Sequence, residues 1–238
     1  MTLPAEGRSF GAERKVRVSD VGPHGWLRLD AMAAYLQDIG GDDSGDAGLP
    51  RQHAWLVRRT ALDIRQSPRL GEPVALVTFC SGIGARWAER TTTIRGERGA
   101  EVDATAIWVC TDVATGKPVP PPARFHEVYG PSAGGRKVSA RLTIGDADPE
   151  GARRPWPLRA TDFDVLGHMN NAAYWIAIED EVDRRTTARP RHAVLEYRAS
   201  IEPNDSIELV WREAGSESGL TAWLTRGAEV CAAAQVAW

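Results

Sequence analysis

An α+β fold, duplicated within one chain, is what this sequence predicts: two antiparallel sheets, each wrapped round a central helix. Three short segments recur in the same order in both halves. Ala33-Ala34-Tyr35 returns as Ala172-Ala173-Tyr174, and Leu62-Asp63-Ile64-Arg65-Gln66-Ser67 returns as Leu195-Glu196-Tyr197-Arg198-Ala199-Ser200. Gly99-Ala100-Glu101-Val102 returns as Gly227-Ala228-Glu229-Val230. The offsets of 139, 133 and 128 shrink along the chain, as shorter loops in a second copy require. In both halves a helical periodicity precedes several extended segments, and a run rich in proline and glycine separates them.

Taken in order, the first copy opens on a short strand, after which Asp30 is placed to cap a helix. Met32, Tyr35, Leu36 and Ile39 fall on one face of it, and Gly40-Gly41 marks its expected end. Long segments rich in β-branched and aromatic residues follow. The stretch from Gly116 to Ala123 holds four prolines, and Gly130-Pro131 and Gly134-Gly135 come after it; without periodicity it cannot lie inside a sheet. The expected boundaries are therefore residues 1–116 for the first copy, 117–152 for a linker and 153–238 for the second copy. The second helix is expected after Asn170-Asn171, with Tyr174, Ile178 and Val182 on one face. Beyond it Ile207, Leu209 and Trp211 alternate with Glu208 and Arg212, and Leu220, Ala222 and Leu224 alternate with Thr221, Trp223 and Thr225. A single copy leaves its sheet edge uncovered, so pairing of the two copies is expected.

Composition excludes several function classes. With 238 residues, 42% of them hydrophobic, the chain can fill two cores. A net charge of -3 lacks the basic excess that a phosphate backbone attracts, so no nucleic-acid partner is expected. Cys80, Cys110 and Cys231 are isolated from one another and from any histidine grouping, which argues against a disulfide frame or a zinc site and for a reducing compartment. With no apolar leader and no run of about 18 apolar residues, the reading is a cytoplasmic protein without a membrane span.

One stretch of the second copy carries chemistry: Thr161-Asp162-Phe163-Asp164-Val165-Leu166-Gly167-His168-Met169-Asn170-Asn171. It puts a carboxylate, an imidazole and two carboxamides directly before a helix, where a base stands beside unpaired backbone N–H groups and the positive end of the helix dipole. At the offset of 139 the first copy has Gly25, Leu29, Ala31 and Met32 in place of Asp164, His168, Asn170 and Asn171. Turn and cap preferences account for Asp162, Asn170 and Asn171 taken singly; their concentration in one copy assigns Asp164 a functional role.

The stretch resembles the Asp-x-Asp-x-x-Gly-His-Val-Asn-Asn-x-x-Tyr signature of hotdog thioesterases, with Met169 in the Val place and Tyr174 as the closing aromatic. Together with Tyr35-Leu-Gln-Asp38, Trp55-Leu-Val-Arg58 and Leu195-Glu-Tyr-Arg198, it makes the chain similar to the acyl-ACP thioesterases over most of its length. The resemblance implies a tandem, or double, hotdog whose second half is catalytic and whose first half shapes an acyl pocket. It carries over Asp164 and His168, with Asn170 and Asn171 beside them, and marks Leu166 and Tyr174 as substrate contacts. Two positions depart from it: the plant enzymes have Asn where this chain has Leu166, and a Glu-Cys pair where it has Ser200-Ile201. A cysteine-based triad is therefore unsupported, and Glu202 and Glu196 remain as reserve carboxylates.

The function so implied is hydrolysis of a fatty acyl thioester, most readily acyl-ACP, to free acid and thiol. Asp164 would activate water or attack directly, His168 would support it, and the helix start near Asn171 would hold the oxyanion. No metal or organic cofactor is needed, since a thioester is already activated. Competing readings are an acyl-CoA thioesterase, an enoyl thioester hydratase, whose Asn-Pro segment is missing between Asp164 and His168, and a non-catalytic acyl-binding module. Expected partners are acyl carrier protein or coenzyme A thioesters, with a homodimer left open. Arg58-Arg59, Arg136-Lys137 and Arg153-Arg154 are the candidate contacts for an acidic carrier.

Overall fold

The computed structural model describes residues 2–49, 52–213 and 218–238. The chain forms two compact units, one of residues 1–27 and 35–141, the other of residues 28–34 and 142–238. The first contains β1 (Ser9–Lys15), a 3-10 turn at Val18–Asp20, most of α1 (Leu29–Asp46), β2 (His53–Gln66), β3 (Pro73–Ile83), β4 (Trp87–Gly96), β5 (Glu101–Asp112) and α2 (Ala123–Ala133). The second contains β6 (Ala152–Trp156), a 3-10 turn at Ala160–Asp162, α3 (Ala173–Asp183), β7 (His192–Tyr197), β8 (Ile207–Glu213), β9 (Gly219–Arg226) and β10 (Glu229–Ala237). Within the units the strands run β1-β3-β4-β5-β2 and β6-β8-β9-β10-β7, every pairing antiparallel. The same order, twice, is the duplicated antiparallel unit that the repeats imply, and the double hotdog that the resemblance implies.

Smaller features repeat as well. Each 3-10 turn is closed by an aspartate three residues after an arginine: Asp20 accepts from the Arg17 N–H at 2.8 Å, and Asp162 from the Arg159 N–H at 2.9 Å. Ahead of β3 and β8, Glu72 accepts from the Arg69 N–H at 2.9 Å and Asp205 from the Glu202 N–H at 2.8 Å. A carboxylate that accepts a backbone N–H closes a turn without leaving a buried donor unpaired, so these four residues specify loops.

Two expectations need correction. Helix α1 does not stop at Gly40-Gly41 but runs to Asp46, and Asp30 lies in its first turn rather than before it. Long-range contacts hold the extension. Asp43, 1% exposed, receives Arg8 Nε at 2.6 Å, Arg90 Nη1 at 2.6 Å and the Tyr129 hydroxyl at 2.8 Å. The stretch expected as a linker also contains α2. Its Phe125, Tyr129 and Ala133 recur at a spacing of four and pack with Cys80, Ile83 and Ala88 in the first unit's core. The flanking prolines and Pro131 inside the helix hide that period from the sequence.

Candidate active site

The loop before α3 is built on its own backbone. Asp164 N–H donates to His168 O at 3.0 Å and Gly167 N–H to Asp164 O at 3.0 Å, while Phe163 and Met169 form a bridge below. Gly167 takes φ 79°, the left-handed turn that lacks a penalty only for glycine. Met169 N–H then donates to Ile201 O at 2.9 Å and Asn170 N–H to Asp162 O at 2.8 Å, which fixes the loop to the β7–β8 connection and to the 3-10 turn.

The side chains divide by role. Asp164 Oδ1 accepts from the Leu166 N–H at 2.9 Å; its other oxygen has no partner among the described residues. His168 is exposed, as are Val165 and Leu166, the latter at 70%. Asn170 Oδ1 accepts from the Ala172 N–H at 2.9 Å and its carbonyl from the Ala173 N–H at 2.9 Å, so Asn170 closes the turn that leads into α3. Asn171 presents its carbonyl to the Tyr197 hydroxyl at 3.0 Å, and that hydroxyl accepts from Trp175 Nε1 at 3.1 Å. Tyr174, 3% exposed, packs edge-on against Tyr197 with ring centroids 5.3 Å apart and accepts from the Ile201 N–H at 3.3 Å. Burial pushes its phenol above the usual range. The expected substrate contact at Tyr174 is thus a buried side chain that anchors the loop.

The loop of the first unit has the same bonds in a different register from the one the helix repeat implied. Gly22 N–H donates to Trp26 O at 3.0 Å, Gly25 N–H to Gly22 O at 2.9 Å, and Leu27 N–H to Pro68 O at 2.9 Å. These match Asp164, His168, Gly167 and Met169 at an offset of 142, not 139, with Pro68 matching Ile201 at 133, the offset of the strand repeat. The counterparts of Asp164, His168, Asn170 and Asn171 are therefore Gly22, Trp26, Arg28 and Leu29, rather than Gly25, Leu29, Ala31 and Met32. A helix nearly restores its face after three or four residues, so a slip of three preserved the apolar pattern and concealed the error. Tyr35 shows the slip directly, because it donates to Asp20 at 2.6 Å while Tyr174 serves Ile201.

The reserve groups differ in their settings. Glu196 is fully buried and accepts from the backbone N–H groups of Thr143, at 2.5 Å, and Ile144. Glu202 is exposed in the turn closed by Asp205, and Ile201 is buried. All three cysteines are buried; burial pushes every one of these thiols up, Cys80 to about 11. Among the basic pairs, Arg136 is bonded to Glu89, and Arg154 to Asp180 and Glu181. Among the described residues no cluster of His, Cys, Asp and Glu could hold a metal ion, and no helix is long and apolar enough to cross a membrane.

One carboxyl escaped the sequence reading. Glu179, on α3, accepts from the Leu29 N–H at 2.8 Å at the start of α1. Burial pushes it up to about 8 against that hydrogen bond, with Asp30 and Asp183 adding repulsion. In the sequence it stands in an acidic run beside Asp180 and Glu181, immediately after Ile178, and nothing local marks it as buried. The first unit, for its part, has a partly open cavity of about 280 Å³ whose lining includes Gln37, Gly41, Trp55, Ala88, Trp108 and Phe125.

The model of the acyl-ACP thioesterase N-terminal domain matches residues 7–129, and that of the C-terminal domain matches residues 145–238. An uncharacterized protein of Mycobacterium tuberculosis is 26% identical over 88% of this chain and 85% of its own length. The chloroplastic oleoyl-acyl carrier protein thioesterase of Coriandrum sativum is 23% identical over 87% of this chain and 63% of its own. Among solved structures, a putative oleoyl thioesterase from Lactobacillus plantarum superposes with a TM-score of 0.84 at 20% identity, covering 100% of this chain and 97% of that one. The 12:0-ACP thioesterase from Umbellularia californica does so with 0.82 at 19% identity, covering 98% of each.

Proposed function

The chain belongs to the acyl-ACP thioesterase family and is a thioester hydrolase; from that premise we propose that it releases fatty acids from acyl carrier protein in the cytoplasm, with Asp164 as the group that activates water. The observation that carries the assignment is the contrast between two loops with the same backbone bonds: one holds Asp164 and His168, the other Gly22 and Trp26. Asp164 Oδ1 is held by Leu166 N–H, and Oδ2 is left to take a proton from water. The water oxygen adds to the thioester carbonyl carbon, the N-terminal turn of α3 steadies the resulting oxyanion, and the C–S bond breaks. The thiolate leaves with a proton, to which exposed His168 contributes. Asn170 positions α3, Tyr174 anchors the loop through Ile201, and exposed Val165 and Leu166 offer the substrate an apolar rim. The first unit is catalytically silent and supplies the acyl pocket.

Thiol release from acyl-carrier-protein and acyl-coenzyme A substrates, over a range of chain lengths, tests this. Asp164→Asn keeps the size and turn preference of the residue, so the melting temperature stays put while kcat falls by at least about 10²-fold. An unchanged rate would move the base elsewhere. Carrier-protein substrates should be preferred, and the preference should shrink with added salt; equal use of both thioesters at every salt concentration removes the carrier assignment.

A further inference from the structure

The first turn of α3 is wound differently from the matching turn of α1. In the first copy Met32 N–H donates to Arg28 O at 2.9 Å, the bond of a regular α-turn, and α1 begins at Leu29. At the offset of 142, Arg28, Leu29 and Met32 match Asn170, Asn171 and Tyr174. In the second copy Asn170 O receives the Ala173 N–H instead, one residue earlier, and the Trp175 N–H goes to Ala172 O at 3.1 Å. The turn is thus of the tighter 3-10 kind, and α3 begins at Ala173, two residues later than the match to α1 requires.

The peptide group between Asn171 and Ala172 is held from both ends. Its N–H donates to Asn170 Oδ1 at 2.9 Å, and its carbonyl accepts from the Tyr197 hydroxyl at 3.0 Å. That hydroxyl is itself aimed, because Trp175 Nε1 donates to it at 3.1 Å. Trp175 is fully buried and Tyr197 nearly so, which shields both bonds from competing water. Tyr197 is also fixed in the sheet, where it pairs with Ala232 of β10. The first copy lacks this clamp. At the strand offset of 133 Tyr197 matches Ile64, and at 142 Trp175 matches Ala33; neither residue has a polar side-chain atom. Both copies share one strand order, so the fold does not demand the clamp. It is present in the copy that holds Asp164 and His168.

We propose that Tyr197 is a positioning residue for hydrolysis: its hydroxyl, aimed by Trp175, holds the Asn171 carbonyl and keeps the first turn of α3 in the winding that meets the oxyanion. The proposal rests on the reading that this turn steadies the oxyanion. Tyr197→Phe in the full-length protein retains the ring and deletes the hydroxyl. Its kcat should fall about tenfold, less than the roughly 10²-fold that follows loss of a direct oxyanion donor, while KM stays within about twofold. A hydroxyl that only stabilises the fold would lower the melting temperature and leave both constants in place. Affinity for a dodecyl trifluoromethyl ketone, whose hydrate mimics the tetrahedral intermediate, should fall by the same factor as kcat/KM, whereas affinity for dodecanoic acid stays within about twofold. Replacement of Tyr197 by para-aminophenylalanine, which again offers a donor to Asn171 O, should bring the rate back to within about threefold of wild type. Trp175→Phe removes the donor that aims the hydroxyl and should lower kcat and ketone affinity in equal proportion, a second route to the same link should Tyr197→Phe not fold. An unchanged kcat in folded Tyr197→Phe overturns the proposal, as does a loss confined to KM or one that spares ketone binding. Thiol release by the wild type on the same substrate reports separately on hydrolysis, so full turnover in Tyr197→Phe rejects only the present inference.

Discussion

Within the nine residues from Asp162 to Asn170, side chains spent on the backbone stand beside exposed ones. Asp162 and Asn170 are consumed by backbone N–H groups, Asp162 by Arg159 at 2.9 Å and Asn170 by Ala172 at 2.9 Å, whereas His168 stands exposed. His168→Ala should therefore lower kcat by less than Asp164→Asn does, since in the proposed mechanism the imidazole only assists a thiol that is already a good leaving group. Leu166→Asn restores the polar residue of the plant enzymes. Because the Asp164 turn uses the backbone N–H at this position and not its side chain, the rate should stay within a few-fold; a large gain would mean that a second polar group is required after all. Paired kcat and KM measurements on one acyl substrate check both variants.

At the scale of elements, the C-terminal half of α1 depends on one buried carboxylate. Asp43→Asn leaves Arg90 and Arg8 without their shared counter-charge, and the expected destabilisation, read by urea unfolding, is about 3–5 kcal/mol. Glu179 makes a pH-dependent contribution at the other end of the helix. Its folded carboxyl titrates at about 8, above its ordinary value, so its stabilising contribution is complete in acid and is lost as pH rises through that value. Between about pH 5 and 8 the wild type should lose stability relative to Glu179→Gln; parallel unfolding curves across that range would refute the assignment. These same elements mark the limit of what the sequence disclosed. The strands were legible because side chains alternate along them, and the turn before α3 because its polar residues cluster. The extension of α1 past Gly40-Gly41 was not, since it is enforced by Arg8, Arg90 and Tyr129 from distant positions. Helix α2 was masked by its prolines, and the loop register was lost to the near-periodicity of a helix. Glu179 takes its significance from burial, which no local pattern announces.

For the whole molecule, duplication explains what the two halves share and the active-site loop what they do not. Residues 28–34 cluster with 142–238, so a fragment starting near residue 142 lacks part of its own compact unit, including the Leu29 N–H that Glu179 accepts. Neither half expressed alone should release thiol, and a second half hydrolysing at the full-length rate would contradict the division of labour. The paired loops carry one further consequence, for ancestry. Gly22 is not among the glycines with left-handed backbone, and the bonds that its loop shares with the one around Asp164 run between main-chain atoms. Side-chain replacement alone is thus sufficient to convert either loop into the other. After the duplication, one copy could surrender its Asp–His pair or the other acquire it without any change of main-chain path, which leaves the loop around Gly22 as a receptive place for new chemistry.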